Sequence, residues 1–504
     1  MHPALVQQDI LRLVFESIRN YSPKKIAILN ISLACHAFKE PALDTLWHEL
    51  HSLAPLLNLV LVTQKADGTY ELPDDITPND LERFKYYARR VKKLVYRKYR
   101  QKDASQLPIL ARLPDILDGP VLPCLRTMQW FVAEQGGPLS HTLIAHPVAT
   151  LRSITIQFDV IRSLSIATDF AKIGVAHFVQ TLATNAPWLT QLLLVDLPES
   201  FALSFSQFTC LKSLTFTHQI RGYSHGSKFM TPQHFASMST IMGLTCLKLD
   251  LHEFSAPNLA TCQFHSLSSV HLIGNSDAVV SVIPSLRPSP ITVFSVKLVG
   301  DYAALDSLFN SITFQTLECL TIDYSPYDSS TWKGCDLLPS LLTCTKLTKC
   351  NIHLNDVIIA LTEDDIFSMA CCWPLIEELK WKCDADPSPS VLSLEAFVEH
   401  LSRLRILGIS VYIQSVNIGN AYYEDLPVSN HKLQKIEIYK PLIEDRVIDW
   451  AHWLLFFFPY LEEVSGSGDE DDEVWRVAGA LRKLQFIKKL WAQQAARESG
   501  SKGI

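Results

Sequence analysis

The segment GYSHG (residues 222–226) matches the G-x-S-x-G pattern, in which a serine hydroxyl can act as a nucleophile. That chemistry needs the serine on a sharp turn between a strand and a helix that follows at once. The alternation of Ser213–Ile220 predicts the strand, but Thr231 and Pro232 mark the next helix start. We therefore interpret Ser224 as part of a loop and expect no hydrolase activity.

The cysteines and histidines form no pattern typical of a metal site. The sequence has 12 cysteines but no C-x-x-C pair, no H-E-x-x-H motif and no acidic calcium loop. Cys35 and His36 are interpreted as packing and surface positions of one helix. Cysteines scattered in this way are typical of small core residues in a reducing compartment. The sequence predicts no metal, no cofactor and no enzymatic activity.

A basic stretch, Arg89–Lys102, interleaves lysines and arginines with Tyr96 and Tyr99. Basic and aromatic residues in alternation can bind single-stranded nucleic acid. Val91, Leu94 and Tyr96 are needed inside a strand, however, so most of the charges are expected on its solvent side and flanks. We interpret the stretch as a solvated rim that is better suited to an acidic protein surface, with nucleic-acid binding as the less favoured alternative.

The chain has enough hydrophobic residues to form a large core, and its acidic and basic residues are nearly balanced. Of 504 residues, 48% are hydrophobic and 10% aromatic, and the formal net charge is −7. This balance argues against nucleic acid as the main partner. The N-terminal sequence lacks the basic start of a signal peptide, and the apolar run Trp453–Leu461 is too short to span a bilayer. We expect a cytoplasmic or nuclear protein without a membrane partner.

One short motif organises the chain from about residue 90 onward: three apolar residues separated by two residues and then by one. Its copies begin at Val91, Leu125, Leu151, Leu189, Leu211, Leu244, Leu267, Ile291, Leu317, Leu347, Ile376, Leu404, Leu433 and Leu461. The last five intervals are 28 to 30 residues long, which indicates a true repeat. The final copy is partial, because Gly466 holds its third position.

The segments between the copies favour helices, as in Ser393–Arg403, whose apolar residues have helical spacing. Each unit is then a helix, a turn and a strand, and stacking buries the apolar edge that a single unit leaves open. The sequence predicts an α/β solenoid with its strands on the concave side; an ordinary α/β domain is the alternative. The repeat resembles the leucine-rich repeat, although only Asn275 and Asn355 occupy that family's Asn position, so irregular turns are expected.

Three short segments with helical apolar spacing precede the repeats. The middle segment is expected to begin after Pro23 and the third to open at Pro41. Their stripes are Ile10, Leu11, Val14, Phe15 and Ile18; Ile26, Leu29, Leu33 and Phe38; and Ala42, Leu43, Leu46, Trp47 and Leu50. Three such helices cannot make a large core, so the module is expected to borrow surface from a partner or a neighbouring domain.

This segment resembles the F-box, and in particular the expanded F-box family of mushroom-forming fungi. The resemblance is carried by Asp9-Ile10-Leu11, Phe15, Cys35-His36-Ala37-Phe38 and Leu46-Trp47, and it covers about Pro3 to Leu57. Gln8 stands where the family has proline, and Asp9 where it has glutamate. The alternative is that Leu43, Leu46 and Trp47 only cap the N-terminal end of the solenoid.

The resemblance implies the substrate-recognition subunit of a Skp–cullin–F-box ubiquitin ligase. The helical module would dock the Skp adaptor, and through it the cullin scaffold, while the solenoid would hold a target protein. The adaptor-binding residues that it implies are Leu5, Asp9, Ile10, Leu11, Phe15, Leu33, Phe38, Leu43, Leu46 and Trp47. A non-catalytic interaction scaffold with a degenerate F-box is the alternative.

The sequence predicts four regions: an F-box-like helical module at 1–60, a polar linker at 61–84, the leucine-rich-repeat-like solenoid at 85–465, and an acidic loop with a capping helix at 466–504. The capping helix is predicted from an apolar stripe at Val474, Val477, Leu481, Leu484, Ile487 and Leu490.

Overall fold

The chain forms two compact units, Met1–Asp250 and Leu251–Ile504. The computed structural model describes residues 7–21, 25–60, 63–64, 70–73, 76–97, 107–132, 148–158, 179–196, 204–218, 230–252, 254, 259, 261–312, 314–326, 338–359, 361–385, 389–413, 429–439, 442–443, 447–466, 474, 476–486 and 489. No described helix is long and apolar enough to cross a membrane. The four predicted region boundaries stay a prediction.

The first unit begins with helices and continues with alternating strands and helices. Its helices are α1 (Gln8–Tyr21), α2 (Lys25–Ala34), α3 (His36–Trp47), α4 (Ala54–Leu57), α5 (Glu82–Ala88), α6 (Leu107–Leu117) and α7 (Pro232–Ser239), with a 3₁₀ turn at Pro78–Leu81. Residues 179–185 are also helical. Its strands are β1 (Glu49–Leu50), β2 (Thr63–Gln64), β3 (Tyr70–Glu71), β4 (Lys93–Arg97), β5 (Thr127–Val132), β6 (Ser153–Phe158), β7 (Gln191–Val195), β8 (Ser213–Thr217) and β9 (Cys246–Leu251), which ends at the unit boundary.

The second unit repeats the strand–helix order. Its strands are β10 (Ser269–Asn275), β11 (Val293–Gly300), β12 (Cys319–Pro326), β13 (Lys349–Ile359), β14 (Glu378–Ala385), β15 (Ile406–Ile409), β16 (Tyr412–Ile413), β17 (Lys435–Ile438), β18 (Leu442–Ile443) and β19 (Glu463–Gly466). Its helices are α8 (Ser276–Leu286), α9 (Tyr302–Ser311), α10 (Leu338–Leu342), α11 (Glu363–Cys372), α12 (Glu395–His400) and α13 (Val447–Phe457), with a 3₁₀ turn at Val391–Leu394. Residues 476–486 are helical as well.

Within each unit, the main strands pair in parallel with their neighbours. In the first unit β1 pairs with β4, and β4 through β9 follow in order. In the second unit β10 through β15 pair in order, followed by β17 and β19. Small two-stranded sheets join β2 to β3 and β16 to β18. The predicted α/β architecture, a helical module followed by stacked helix–strand repeats, is confirmed.

The repeat motif forms the core because its apolar positions are in register from strand to strand. One inward row of the second unit runs through Phe294, Leu320, Cys350, Leu379, Leu407, Ile436 and Val464. Every apolar position of the predicted motif is buried in this way, so the interpretation of the repeat is confirmed. Alternating side chains of a strand point to opposite faces, which leaves the residues between them on the outward face.

A turn that the sequence analysis did not predict precedes many strands. The first apolar residue of the repeat donates its backbone N–H to the carbonyl three residues earlier, as Ile376 does to Trp373 at 3.1 Å and Leu404 to Leu401 at 3.0 Å. Trp373 and Leu401 are themselves fully buried. The turn therefore adds another inward side chain to the core of each of these repeats.

Gly300 at the end of β11 is required by its backbone and by its surroundings. Its φ is +155°, and an added Cβ would lie 2.3 Å from Ser276 Oγ. Tyr324 Oη donates to the Gly300 carbonyl at 2.7 Å, and burial raises the pKa of Tyr324 to about 12.

We expect Gly300→Ala to lower the free energy of unfolding by about 1–3 kcal/mol, measured by chemical denaturation. Gly479→Ala is the control, because nothing lies within 4 Å of its Cβ position; an equal loss in both variants would contradict the prediction.

Candidate functional site

Helices α1 to α3 enclose a small core of their own. Leu11, Phe15, Ile28 and Ala42 are buried in it, and Ile18, Ile31, Phe38 and Leu46 pack against it. The rings of Phe15 and Phe38 meet edge to face at 6.3 Å. Leu11 and Phe15, which the F-box resemblance places among the adaptor-binding residues, thus lie in the core, and Phe38 and Leu46 line it.

Two boundaries within this module differ from the prediction. Helix α3 begins at His36, so Pro41 lies inside it rather than at its start, and Phe38 belongs to α3 rather than to the middle helix. A proline inside a helix removes one backbone hydrogen bond. Pro41 and Ala42 are both buried in α3, so packing offsets that loss.

The other sides of α1 and α2 present apolar side chains to solvent. More than half of the large apolar side chains found exposed among the described residues belong to these two helices. They are Ile10, Leu13 and Val14 on α1, and Ile26, Leu29 and Leu33 on α2. Leu33 is 78% exposed and Ile26 72%. We call these six residues the apolar face of the module.

The remaining predicted adaptor residues lie in different surroundings. Asp9 is almost fully exposed beside Arg12, at 3.8 Å, and Leu43 is half-buried. Trp47 is half-buried too, and its ring lies 4.6 Å from the ring of Tyr87 on α5. Leu5 lies outside the described residues. The apolar face also contains Leu13, Val14, Ile26 and Leu29, which the resemblance does not place among the adaptor-binding residues; Val14, Ile26 and Leu29 belong to the apolar stripes predicted from the sequence.

A buried arginine joins the module to the first repeat. The Arg90 side chain is 5% exposed; it lies 2.5 Å from Glu40 Oε2 and also pairs with Asp44, both on α3. Tyr86 Oη donates to Glu40 Oε1 at 2.6 Å, and the Arg90 guanidinium lies 4.4 Å from the Tyr86 ring centre. We call Arg90, Glu40, Asp44 and Tyr86 the arginine latch.

Electrostatics within the arginine latch favour its charged form. The hydrogen bonds from Tyr86 and then Arg90 lower the pKa of Glu40. Burial alone would lower the pKa of Arg90, but its bonds to the two carboxylates outweigh burial and raise it. The latch therefore holds α3 against the segment that follows α5.

The charges of Arg89–Lys102 were expected to lie mostly on a solvated rim, and this expectation is wrong for Arg90. Lys93 pairs with Glu49 at 3.1 Å. Residues 98–102 lie outside the described part of the chain.

The outward face of the second unit's strands carries alternating charges. Lys380 Nζ lies 2.9 Å from Glu437 Oε1, and Lys435 Nζ lies 2.8 Å from Glu463 Oε1. We define the ion-pair chain by its members in order: Lys349, Glu378, Lys380, Glu437, Lys435 and Glu463. Burial would raise the pKa of Glu437, but hydrogen bonds from Lys380 and Tyr439 outweigh it and lower the pKa. Equal numbers of both signs suit a polar protein surface better than a phosphate backbone.

The described residues contain a close carboxylate–histidine pair, and it does not include the serine singled out in the sequence. Ser224 and its motif lie outside the described residues. Nearby in the chain, Asp196 is buried with a left-handed φ of 56°, and its Oδ1 lies 2.7 Å from His218 Nδ1. Among the residues described, no cluster of three or more His, Cys, Asp or Glu could hold a metal ion.

Comparisons with known proteins find no family, and two solved structures align with the chain at low TM-scores. No family model and no curated protein matches the chain. The leucine-rich repeat-containing protein LegL7 of Legionella pneumophila aligns with 70% of this chain, and the alignment covers 97% of LegL7; the sequence identity is 11% and the TM-score 0.24. The leucine-rich-repeat ectodomain of the Arabidopsis receptor kinase HAESA, solved in complex with a peptide hormone, aligns with 80% of this chain, and the alignment covers 78% of the ectodomain; the sequence identity is 12% and the TM-score 0.20.

Proposed function

We propose that this protein is the substrate-recognition subunit of a Skp–cullin–F-box ubiquitin ligase. Helices α1 to α3 dock a Skp-type adaptor, which connects the chain to a cullin scaffold, and the outward strand face binds a target protein. The chain makes no bond itself; it raises the effective concentration of the target near the conjugating enzyme.

The observation that carries the proposal is the apolar face of the module. A three-helix unit with a core of few residues leaves Leu33 and Ile26 more than two-thirds exposed, and exposed apolar patches mark interaction sites. The F-box resemblance implies a Skp adaptor as the occupant. Leu11 and Phe15 then support the docking face from behind, and Ile10 and Leu33 contact the adaptor directly.

The arginine latch supports the same function. A firm connection between the docking module and the repeats helps to fix where a bound target lies, and proximity is the receptor's whole contribution. Arg90 fixes α3 to the first repeat through two carboxylates, and the stacking of Trp47 on Tyr87 adds a second contact between α3 and α5.

The test is co-purification of the full chain with a Skp-type adaptor. We expect the double variant Ile26→Asp with Leu33→Asp to weaken binding by about 100-fold or more, because two apolar side chains lose their burial. Thermal unfolding should be unchanged, since both side chains are exposed. Leu11→Asp is unsuitable, because it would disrupt the core.

Met242→Asp is the matched control for this test, because Met242 is 76% exposed in the same unit but belongs to the turn between α7 and β9. It should leave adaptor binding intact. Equal adaptor binding by the wild-type protein and the double variant would refute docking through the apolar face, and absence of adaptor binding by the wild-type protein would refute adaptor docking altogether and leave an interaction scaffold.

A further inference from the structure

One outward row of the second unit brings His353 and Lys382 side by side, and neither forms an ion pair with a carboxylate among the described residues. Asp323 on β12 is in register with His353 on β13, and His353 with Lys382 on β14. Asp323 already forms an ion pair, because its Oδ2 lies 3.2 Å from Lys297 Nζ. Within the described residues, His353 makes no hydrogen bond and no carboxylate lies within ion-pair distance of Lys382.

Lys382 differs in this respect from the lysines around it. Lys349, Lys380 and Lys435 are all engaged in the ion-pair chain. Lys382 lies over the Tyr439 ring, with its Nζ 5.9 Å from the ring centre. A partly buried ammonium without a carboxylate keeps its capacity to bind an anion.

Tyr439 and Gly408 form a floor beside this ammonium. Tyr439 is 6% exposed, and its Oη donates to Glu437 Oε2 at 2.8 Å. A Cβ on Gly408 would lie 2.5 Å from Tyr439 Oη, so the absent side chain is what lets the ring lie across β15. The floor is therefore already fixed before any ligand arrives.

We propose that an extended acidic segment of the target protein places one Asp or Glu carboxylate between Lys382 and His353. This inference rests on the proposed function of the strand face and specifies the chemistry of its ligand. Lys382 supplies the charge, His353 donates an N–H, and the Tyr439 ring packs against the carbon stem of the acidic side chain.

Charge balance favours a carboxylate over a phosphate. The charged groups that act on His353 are Lys382, Asp323, Lys380 and Glu437, and of these Lys380 is already paired. Burial, and then Lys382, lower the pKa of His353, which favours the neutral form of its ring. Among the described residues, the site thus offers one positive charge without a carboxylate partner, which matches a monoanion, whereas the charge of a phosphoserine is about −1.5 to −2.

The test selects random peptides displayed on phage against the full-length protein and measures the enriched peptides by calorimetry. We expect enriched sequences to share one Asp or Glu, and Lys382→Gln to weaken their binding about tenfold. Lys349→Gln is the control, because Lys349 lies on the same face but is paired with Glu378; it should leave binding unchanged.

Replacing the shared acidic residue of the peptide by its amide should weaken binding to the wild-type protein by the same factor of about ten. The same replacement should not weaken binding to the Lys382→Gln variant any further. Phosphoserine at that position should bind more weakly than the acid. Enrichment without an acidic residue, equal losses from both lysine variants, or no enrichment would overturn the proposal. Adaptor co-purification is independent of all these outcomes, so a failure here is distinct from a failure of adaptor docking.

Discussion

Replacing both Glu40 and Asp44 by their amides is expected to lower the stability of the first unit by about 3–5 kcal/mol. The change leaves Arg90 buried without a counter-charge, and an uncompensated buried charge is the costly state of an ion pair. Arg90→Met should cost less, because the two carboxylates it releases are 52% and 40% exposed and regain water.

Hydrogen exchange of α3 and of the segment after α5, together with urea denaturation of the full chain, would measure the effect. Adding Arg90→Met to the amide pair should recover part of the loss, since the orphaned charge is then absent. Glu82→Gln is the control, because Glu82 pairs with Lys85 at an exposed site and such pairs contribute little. Equal losses from the amide pair and from the control would contradict the account.

The sequence predicted the repeats well because their signal is local and periodic. Each apolar triplet fixes which side chains of a short strand point inward, and the same triplet recurs along the chain. The module helices were also predictable from apolar spacing. Periodicity does not say, however, which stripe faces the core: on α2 the predicted stripe of Ile26, Leu29 and Leu33 faces solvent, while Ile28 is buried.

Contacts between residues that are distant in the sequence could not be predicted from it. No pattern links Arg90 to Glu40, which lies 50 positions earlier, or Trp47 to Tyr87. Trp47 illustrates the consequence. A core position would predict a loss of about 3–5 kcal/mol for Trp47→Ala, but the ring is half-buried and stacks on Tyr87, so the loss should be smaller.

The charged strand face escaped sequence reasoning for a related reason. Lys380 and Glu437 come close only because β15, which lies between their strands, carries glycine at position 408. Outward positions have no common residue type, and their partners depend on register. The sequence could place these residues on one face but could not pair them.

Substituting Leu481 by aspartate is expected to lower the stability of the second unit by about 3–5 kcal/mol. Val474, Val477 and Leu481 of the predicted capping stripe are buried, and so is Ala478 beside them, so this part of the stripe packs inward. Gln485 Nε2 donates to the backbone carbonyl of Leu461, the first residue of the last repeat. The C-terminal helical residues 476–486 therefore contact the last repeat, which would otherwise expose an apolar edge.

The expected loss combines two costs. Leu481 gives up the burial of a large apolar side chain, about 1.5–3 kcal/mol, and the new carboxylate has no partner in an apolar site. Phe486→Asp is the matched control, because Phe486 belongs to the same helical segment but is 63% exposed; it should change stability by no more than about 0.5 kcal/mol. Guanidinium denaturation compares the two variants, and hydrogen exchange should show faster exchange at the last repeat for Leu481→Asp only. If Leu481→Asp and Phe486→Asp change the free energy of unfolding equally, the segment does not cover the end of the repeats. Only in a helix that packs against the repeats should a substitution on the inward face cost more than one on the outward face.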